Sequence, residues 1–338
     1  MAKQAVLLLA HGTPETVAQI PEYLSNVTGG RPLPPELVEE IERRYALIGH
    51  SPLTEITLEQ GRLVEIELSH PCRKYNDVAR VGHPAFPPLP QKQRRGKDGA
   101  PSVYVGMRNW HPYIADVLRQ MSADGVEEAA VICLAPQNSR TSVGLYRRAV
   151  ESSGLRIDFI AGWAEHPLLI AAFAERLRAA WTKLSAEAGA PLPVLFTAHS
   201  VPVRTVQARE GQAADPYAEE ARRTAELVAA QLPAIPRWWF AFQSQGASGG
   251  EWLGPSVEQT LEEIVATGAK AVLLQPIGFL CDHVEILYDV DILFRAYAEK
   301  LHLRLERTES LNASVTLARA IADLARQALV RLKSSSAG

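Results

Sequence analysis

Short, almost unbroken apolar runs recur along this chain, and each is followed by an amphipathic stretch. The runs are AVLLLA (5–10), VYVGM (103–107), AAVICLAP (129–136), LRIDFIAGW (155–163), PVLFTA (193–198), RWWFAFQS (237–244) and AVLLQPIGF (271–279). They are apolar at successive rather than alternate positions, the pattern of strands buried on both faces. Between them apolar residues return every three or four positions, as in Leu37, Ile41, Tyr45 and Ile48, in Ile114, Val117, Leu118 and Met121, or in Leu317, Ile321, Leu324 and Ala328. That spacing predicts helices. Strand–helix alternation of this kind predicts an α/β fold with parallel sheets. The βα units are too many for one small sheet, and 338 residues suffice for two domains with separate cores. The expectation is two doubly wound, Rossmann-like parallel-sheet domains over residues 1–155 and 156–310. A C-terminal helix over 311–338 is expected to pack back on the first domain and to end in a disordered KSSSAG tail.

Several function classes are disfavoured. A net charge of -3 lacks the basic field that a nucleic-acid partner needs. The run at 6–10 is too short for a membrane span and is not flanked like a signal peptide, so a cytoplasmic protein without a transmembrane segment is expected. Cys72, Cys133 and Cys281 form no CxxC pair, which argues against a disulfide framework or a structural zinc or iron–sulfur site. No GxGxxG follows the first strand, which argues against an ordinary dinucleotide site. The proline-rich, basic stretch 83–100 reads as a solvated loop or as a contact surface for an acidic partner.

In doubly wound folds ligands sit beyond the carboxyl ends of the strands. Five such ends carry polar or small residues here: HGTPE after the first strand, APQNSRTS, AHS, QSQGASGGEWLGP, and PIGFLCDHVEILYD. His199 closes an apolar strand where another aliphatic residue would pack better. It is either a structural histidine or a base aimed into a cleft. His11 before Gly12 either caps a turn or faces the same cleft. In DHVEILYDVD, Glu285 and Asp289 share a helix face, four residues apart. They are either a solvated acidic face or a weak site for a divalent cation, which hard oxygen ligands suit. Cys281, close by, is read as packing.

The segments LLLAHGTPE, VGMR…HP, RYALIGHSPLTEIT, TAHSVP, DPYAEEA, QSQGASGGEWLGP and PIGFLCDHVEILYDVDI together resemble the ferrochelatase family, from about residue 5 to 330. The resemblance implies a two-domain fold of the class II chelatase type that inserts ferrous iron into a porphyrin held bent between the domains, releasing two protons. It implies that His199 faces the macrocycle and that Glu285 is the essential acid, both also meeting the metal. His283 and Asp289 match neighbouring polar positions, and Asp289 and His11 are further candidates to meet the metal. A neutral imidazole suits the removal of pyrrole protons. Candidate porphyrin contacts are His11, Arg31, Ser51, Trp252, Leu253, Ile277 and His283, with Arg43 or Arg44 as further partners for propionates. Relatives often carry tyrosine where His11 stands, and some extend the acidic row to the position of Leu293. The family's C-terminal cysteine-rich extension is absent, so no [2Fe–2S] cluster and no prosthetic group are expected. Iron and porphyrin are the expected substrates, with transient contacts to neighbouring haem-pathway enzymes. The polar stretch SNVTGGRPLPPE replaces a hydrophobic lip, which favours coproporphyrin III, with four carboxylates, over protoporphyrin IX. A chelatase for another tetrapyrrole, such as cobalt into sirohydrochlorin, and a non-catalytic porphyrin or haem carrier are the competing readings.

Overall fold

The computed structural model describes residues 2–70, 100–246 and 249–335. The basic stretch 83–99, Cys72 and the last three residues of the tail lie outside them. In chain order the elements are β1 (Gln4–Ala10), α1 (Ile20–Thr28), α2 (Pro35–Ile48), α3 (Leu53–Ser69), β2 (Ser102–Met107), α4 (Ile114–Ala123), β3 (Glu128–Cys133), α5 (Val143–Glu151), β4 (Arg156–Ile160) and α6 (Pro167–Ala188). Then follow β5 (Val194–His199), α7 (Val203–Val206), α8 (Tyr217–Ala230), β6 (Trp238–Gln243), α9 (Val257–Ala266), β7 (Ala271–Pro276), a π-helix (Glu285–Phe294), α10 (Arg295–Lys300), β8 (Arg304–Arg307) and α11 (Val315–Ser334).

The strands form two four-stranded sheets of identical topology, β2-β1-β3-β4 and β6-β5-β7-β8. Every pairing is parallel. Burial explains the unbroken apolar runs. Along β1, Val6, Leu8 and Ala10 enter one core cluster while Ala5, Leu7 and Leu9 enter another. The expected boundary at 155/156 would cut β4 from its sheet. β4 pairs with β3, so the chain changes sheet only after Ile160. The cores are not separate either. One cluster takes Val6, Leu8 and Ile132 from the first sheet, Val194, Phe196 and Leu273 from the second, and the apolar face of α11. Each sheet keeps a private cluster on its other face. α11 lies against α3, α6, β3 and β4, and it continues to Ser334, so the first part of the tail is helical. β8, a four-residue strand, has too little apolar character to stand out in the sequence. No helix among the described residues is long and apolar enough to cross a membrane.

In both sheets the strand order reverses beside the strand that comes first in the chain, β1 in one and β5 in the other. That reversal opens a crevice at the carboxyl ends. Two glycines let the chain turn there. Gly12 has φ of 76°, and a Cβ on it would stand 2.8 Å from the Met107 side chain. A Cβ on Gly278 would stand 2.9 Å from Ala198, so only glycine lets the chain leaving β7 pass against the end of β5.

Candidate active site

His199 ends β5, and its backbone is fixed by pairing with Gln243 and by the Tyr217 hydroxyl, which donates to the His199 carbonyl at 2.7 Å. Its Nε2 stands 3.5 Å from Glu285 Oε1. The other oxygen of Glu285 stands 3.6 Å from His283 Nε2. His283 is buried, donates from Nδ1 to the Cys281 carbonyl at 3.1 Å, and thereby turns Nε2 toward the carboxylate. Phe279 sits beside both rings, with centroids 6.2 Å from His199 and 4.6 Å from His283. The Gln243 amide donates to the Glu285 carbonyl at 3.2 Å and accepts from Thr197 at 2.6 Å, which fixes the start of the π-helix against β5. Burial alone would raise the Glu285 acid, but the two imidazoles outweigh it and hold the carboxyl well below its ordinary range. Burial likewise opposes a charge on His199, yet Glu285 and, more weakly, Asp289 raise its pKa above the ordinary value.

Asp289 follows four residues along the π-helix. Ser244 donates to one of its oxygens, and Arg44 stands 3.5 Å from the other. Burial first, and Glu285 next, push its acid up to about 6 against the opposing pull of Ser244 and Arg44. Asp291 turns away from the cleft and is held by Arg307 at 2.7 and 2.9 Å.

His11 faces this group from the first half of the chain. Its Nε2 is 3.0 Å from the Tyr23 hydroxyl and 3.1 Å from the Asn109 amide nitrogen, both able to donate to an unprotonated ring. Burial, reinforced by Arg108, pushes the imidazole down to about 4. The Glu285 charge is felt by His11, Tyr23 and Tyr45 of the first half and by His199 and Tyr217 of the second. The two halves meet here directly: Arg44 of α2 stands 3.5 Å from Asp289, and Val284 packs against the cluster of Ile20, Leu24 and Tyr45.

Other expected residues fall differently. Ser51 is fully buried and its hydroxyl lies 2.8 Å from that of Thr13, just behind His11. Trp252 and Leu253 are half-buried beside the end of β5: Leu253 donates its N–H to Val201 at 3.0 Å and accepts from the Ser200 hydroxyl at 2.8 Å. Ile277 presents no surface to a ligand. It is fully buried in the shared core, because its N–H is drawn to the Thr197 carbonyl at 2.8 Å. Arg43 and Arg44 are not open propionate partners. Both bind Glu40; Arg43 also donates to Tyr288 at 2.8 Å, and Arg44 meets Asp289. Arg31 is exposed, and its guanidinium meets protein only through Nε, at the Thr28 carbonyl, among the described residues.

Residues that the strand-end survey passed over are Tyr23, Arg108 and Asn109. Arg108 lies 5.6 Å from the Tyr146 ring centre, with one terminal nitrogen buried and unpartnered. The signal for Arg108 and Asn109 was their place at the carboxyl end of the strand at 103–107, next to the end that carries His11. Among the described residues no set of three or more histidine, cysteine, aspartate or glutamate side chains is arranged as a ready metal cage.

Two parallel α/β halves of equal topology, with an imidazole–carboxylate pair where they meet, define the class II chelatase architecture. Solved structures of SirB from Bacillus subtilis share it. The sirohydrochlorin chelatase of subspecies spizizenii in complex with cobalt has a TM-score of 0.52 at 11% identity, covering 98% of this chain and 97% of that one. SirB with Fe³⁺ has a TM-score of 0.53 at 12% identity, covering 98% of each. At such identity the likeness is one of fold. The chain belongs to the ferrochelatase family: the family model described as Ferrochelatase matches residues 3–94 and 89–329. The ferrochelatase of Acidobacterium capsulatum is 52% identical over 347 residues, covering 99% of this chain and 97% of the relative. That of Thermus thermophilus is 38% identical, covering 96% and 99%. A coproporphyrin III ferrochelatase of Halalkalibacterium halodurans is 31% identical, covering 92% of each. The protein is thus an enzyme that inserts iron into a porphyrin.

Proposed function

We propose that the porphyrin is coproporphyrin III and that His199 and Glu285 carry the exchange of protons for metal. The ring gives up two pyrrole protons as ferrous iron enters, so the charge at its core is unchanged. His199 accepts one of these protons, with Glu285 stabilising the imidazolium at 3.5 Å, and the second leaves to solvent water. Glu285 and Asp289 replace water around the arriving cation with oxygen ligands that release it again. His11, kept neutral by its burial and held by the Tyr23 hydroxyl and the Asn109 amide, lines the opposite wall. The observation that carries this reading is the His199–Glu285 pair, built from two different βα units and electrostatically coupled to His11 across the cleft.

The substrate choice is supported by Arg31, whose terminal nitrogens have no protein partner among the described residues, and by the resemblance to named coproporphyrin III ferrochelatases. The same reading has the enzyme work in the cytoplasm. The test is anaerobic turnover with ferrous iron, followed by loss of porphyrin fluorescence. Coproporphyrin III should show the higher kcat/KM. Equal or greater kcat/KM with protoporphyrin IX would remove the substrate assignment.

A further inference from the structure

The π-helix that carries Glu285 and Asp289 is ten residues long. Such i→i+5 geometry ordinarily occurs as single turns inside an α-helix. Something must hold this segment in the wider register, and the two carboxylates that bracket its cleft-facing acids meet on one side chain. Arg307, at the end of β8, is only 14% exposed. Its Nε and one terminal nitrogen grip the two oxygens of Asp291 at 2.7 and 2.9 Å. Its other terminal nitrogen stands 3.3 Å from Asp282 Oδ1. Asp282 precedes Glu285 and Asp291 follows Asp289, so one guanidinium ties together the two carboxylates that bracket the metal-facing acids.

The Asp282 side of this bracket is anchored. Ser310 donates to Oδ1 at 2.7 Å, the Asn312 amide donates to Oδ2 at 2.8 Å, and the Asp282 N–H donates back to Asn312 at 2.8 Å. The Asn312 carbonyl accepts from Gln60 of α3 at 2.9 Å, which links the anchor to the first half of the molecule. With Asp282 fixed, the position of Asp291 records how many residues each turn takes in. Tightening to an i→i+4 ladder would rotate Asp291 relative to Glu285 about the helix axis. Either Asp291 would leave Arg307, or Glu285 and Asp289 would leave the cleft.

We propose that Arg307 is a positioning residue which sets the register of the π-helix and so aims Glu285 and Asp289 at the incoming metal. The inference rests on the reading of Glu285 as the cleft acid. Arg307→Gln, Asp291→Asn and Glu285→Gln are compared with the unaltered enzyme, using ferrous iron and coproporphyrin III, with KM resolved separately for metal and porphyrin. Misplacing a catalytic group by about an ångström costs up to roughly 100-fold. Arg307→Gln should therefore lose about tenfold or more in kcat over metal KM, while the porphyrin KM stays within about twofold. A scaffold role alone would lower the melting temperature and leave the metal KM of the folded enzyme unmoved; that result overturns the proposal. Should Arg307→Gln not fold, Asp291→Asn decides, since it keeps the Asp282 contact; an unaltered metal KM there overturns it as well. Normal turnover by Glu285→Gln would overturn the site reading and this inference together. Impaired Glu285→Gln beside normal Arg307→Gln would overturn the inference alone.

Discussion

The two sheets place a histidine at matching ends of matching strands, yet their surroundings push the two rings in opposite directions. His11 follows Ala10 at the end of β1, and His199 follows Ala198 at the end of β5. Around His11 stand neutral donors and the Arg108 cation, and its imidazole is pushed down to about 4. Around His199 stand Glu285 and, further off, Asp289, and its pKa is raised. Strand topology supplies the position; the charge of the next element in space decides whether a ring there binds protons. One wall of the cleft gains proton affinity while the other loses it.

The comparison breaks most completely when the charged wall is removed. His199→Ala and Glu285→Gln are each expected to lower kcat by about 10²-fold to 10⁴-fold while porphyrin binding, measured by fluorescence, is largely kept. Retained turnover in either would mean that the two walls do not divide the work.

The pH profile sharpens the difference. His199 can accept a proton only when neutral, so kcat should rise with pH through a value above the ordinary imidazole range. In Glu285→Gln the residual activity should show that limb shifted to lower pH, because the raising charge is gone. A limb that stays in place would assign it to another group.

His11 is expected to matter less for rate than His199, so His11→Ala should cost only a few-fold in kcat, on the order of tenfold at most. Its signature is in stability. A ring held at about 4 when folded, and near its ordinary value when unfolded, binds a proton on unfolding between those limits. It leaves the fold unaffected above about pH 6.5 and weakens it progressively as the pH falls toward 4. His11→Gln should flatten that acid limb in urea titrations at pH 7.5 and 5; an unchanged limb would mean that His11 is not held neutral.

The smallest effect is expected at Arg44. Arg44→Ala removes a cation from beside Asp289, so the Asp289 acid should move further up from about 6. The pair is partly solvated, and such pairs contribute up to about 1 kcal/mol. A loss in rate below about threefold, confined to acidic pH, is the expected reading in steady-state assays.

The sequence made strands and their buried character legible because apolarity at successive positions has one physical outcome in a protein of this size. It also put His199, Glu285, His283 and His11 at strand ends, and the structure brings these together. It could not show the π-helix, since residues four apart share a face in that ladder nearly as they do in an α-helix. Nor could it show that Arg44 is already taken by Asp289, because the two are separated by 245 residues. Ile277 read as a wall residue for want of the Thr197 contact that draws it inward. The division at 155/156 failed because strand composition does not say which sheet a strand joins; β4 is linked to β3 by register alone.

Because one apolar cluster joins both sheets, with α11 packed against the first sheet and α6, the halves are not free to swing apart like a hinge without exposing that interior. A rigid disc-shaped guest must then be admitted by yielding of the loops around the crevice, with the body behind them standing still. Heat should melt both halves together in one transition, and a bound macrocycle should raise its midpoint without splitting it.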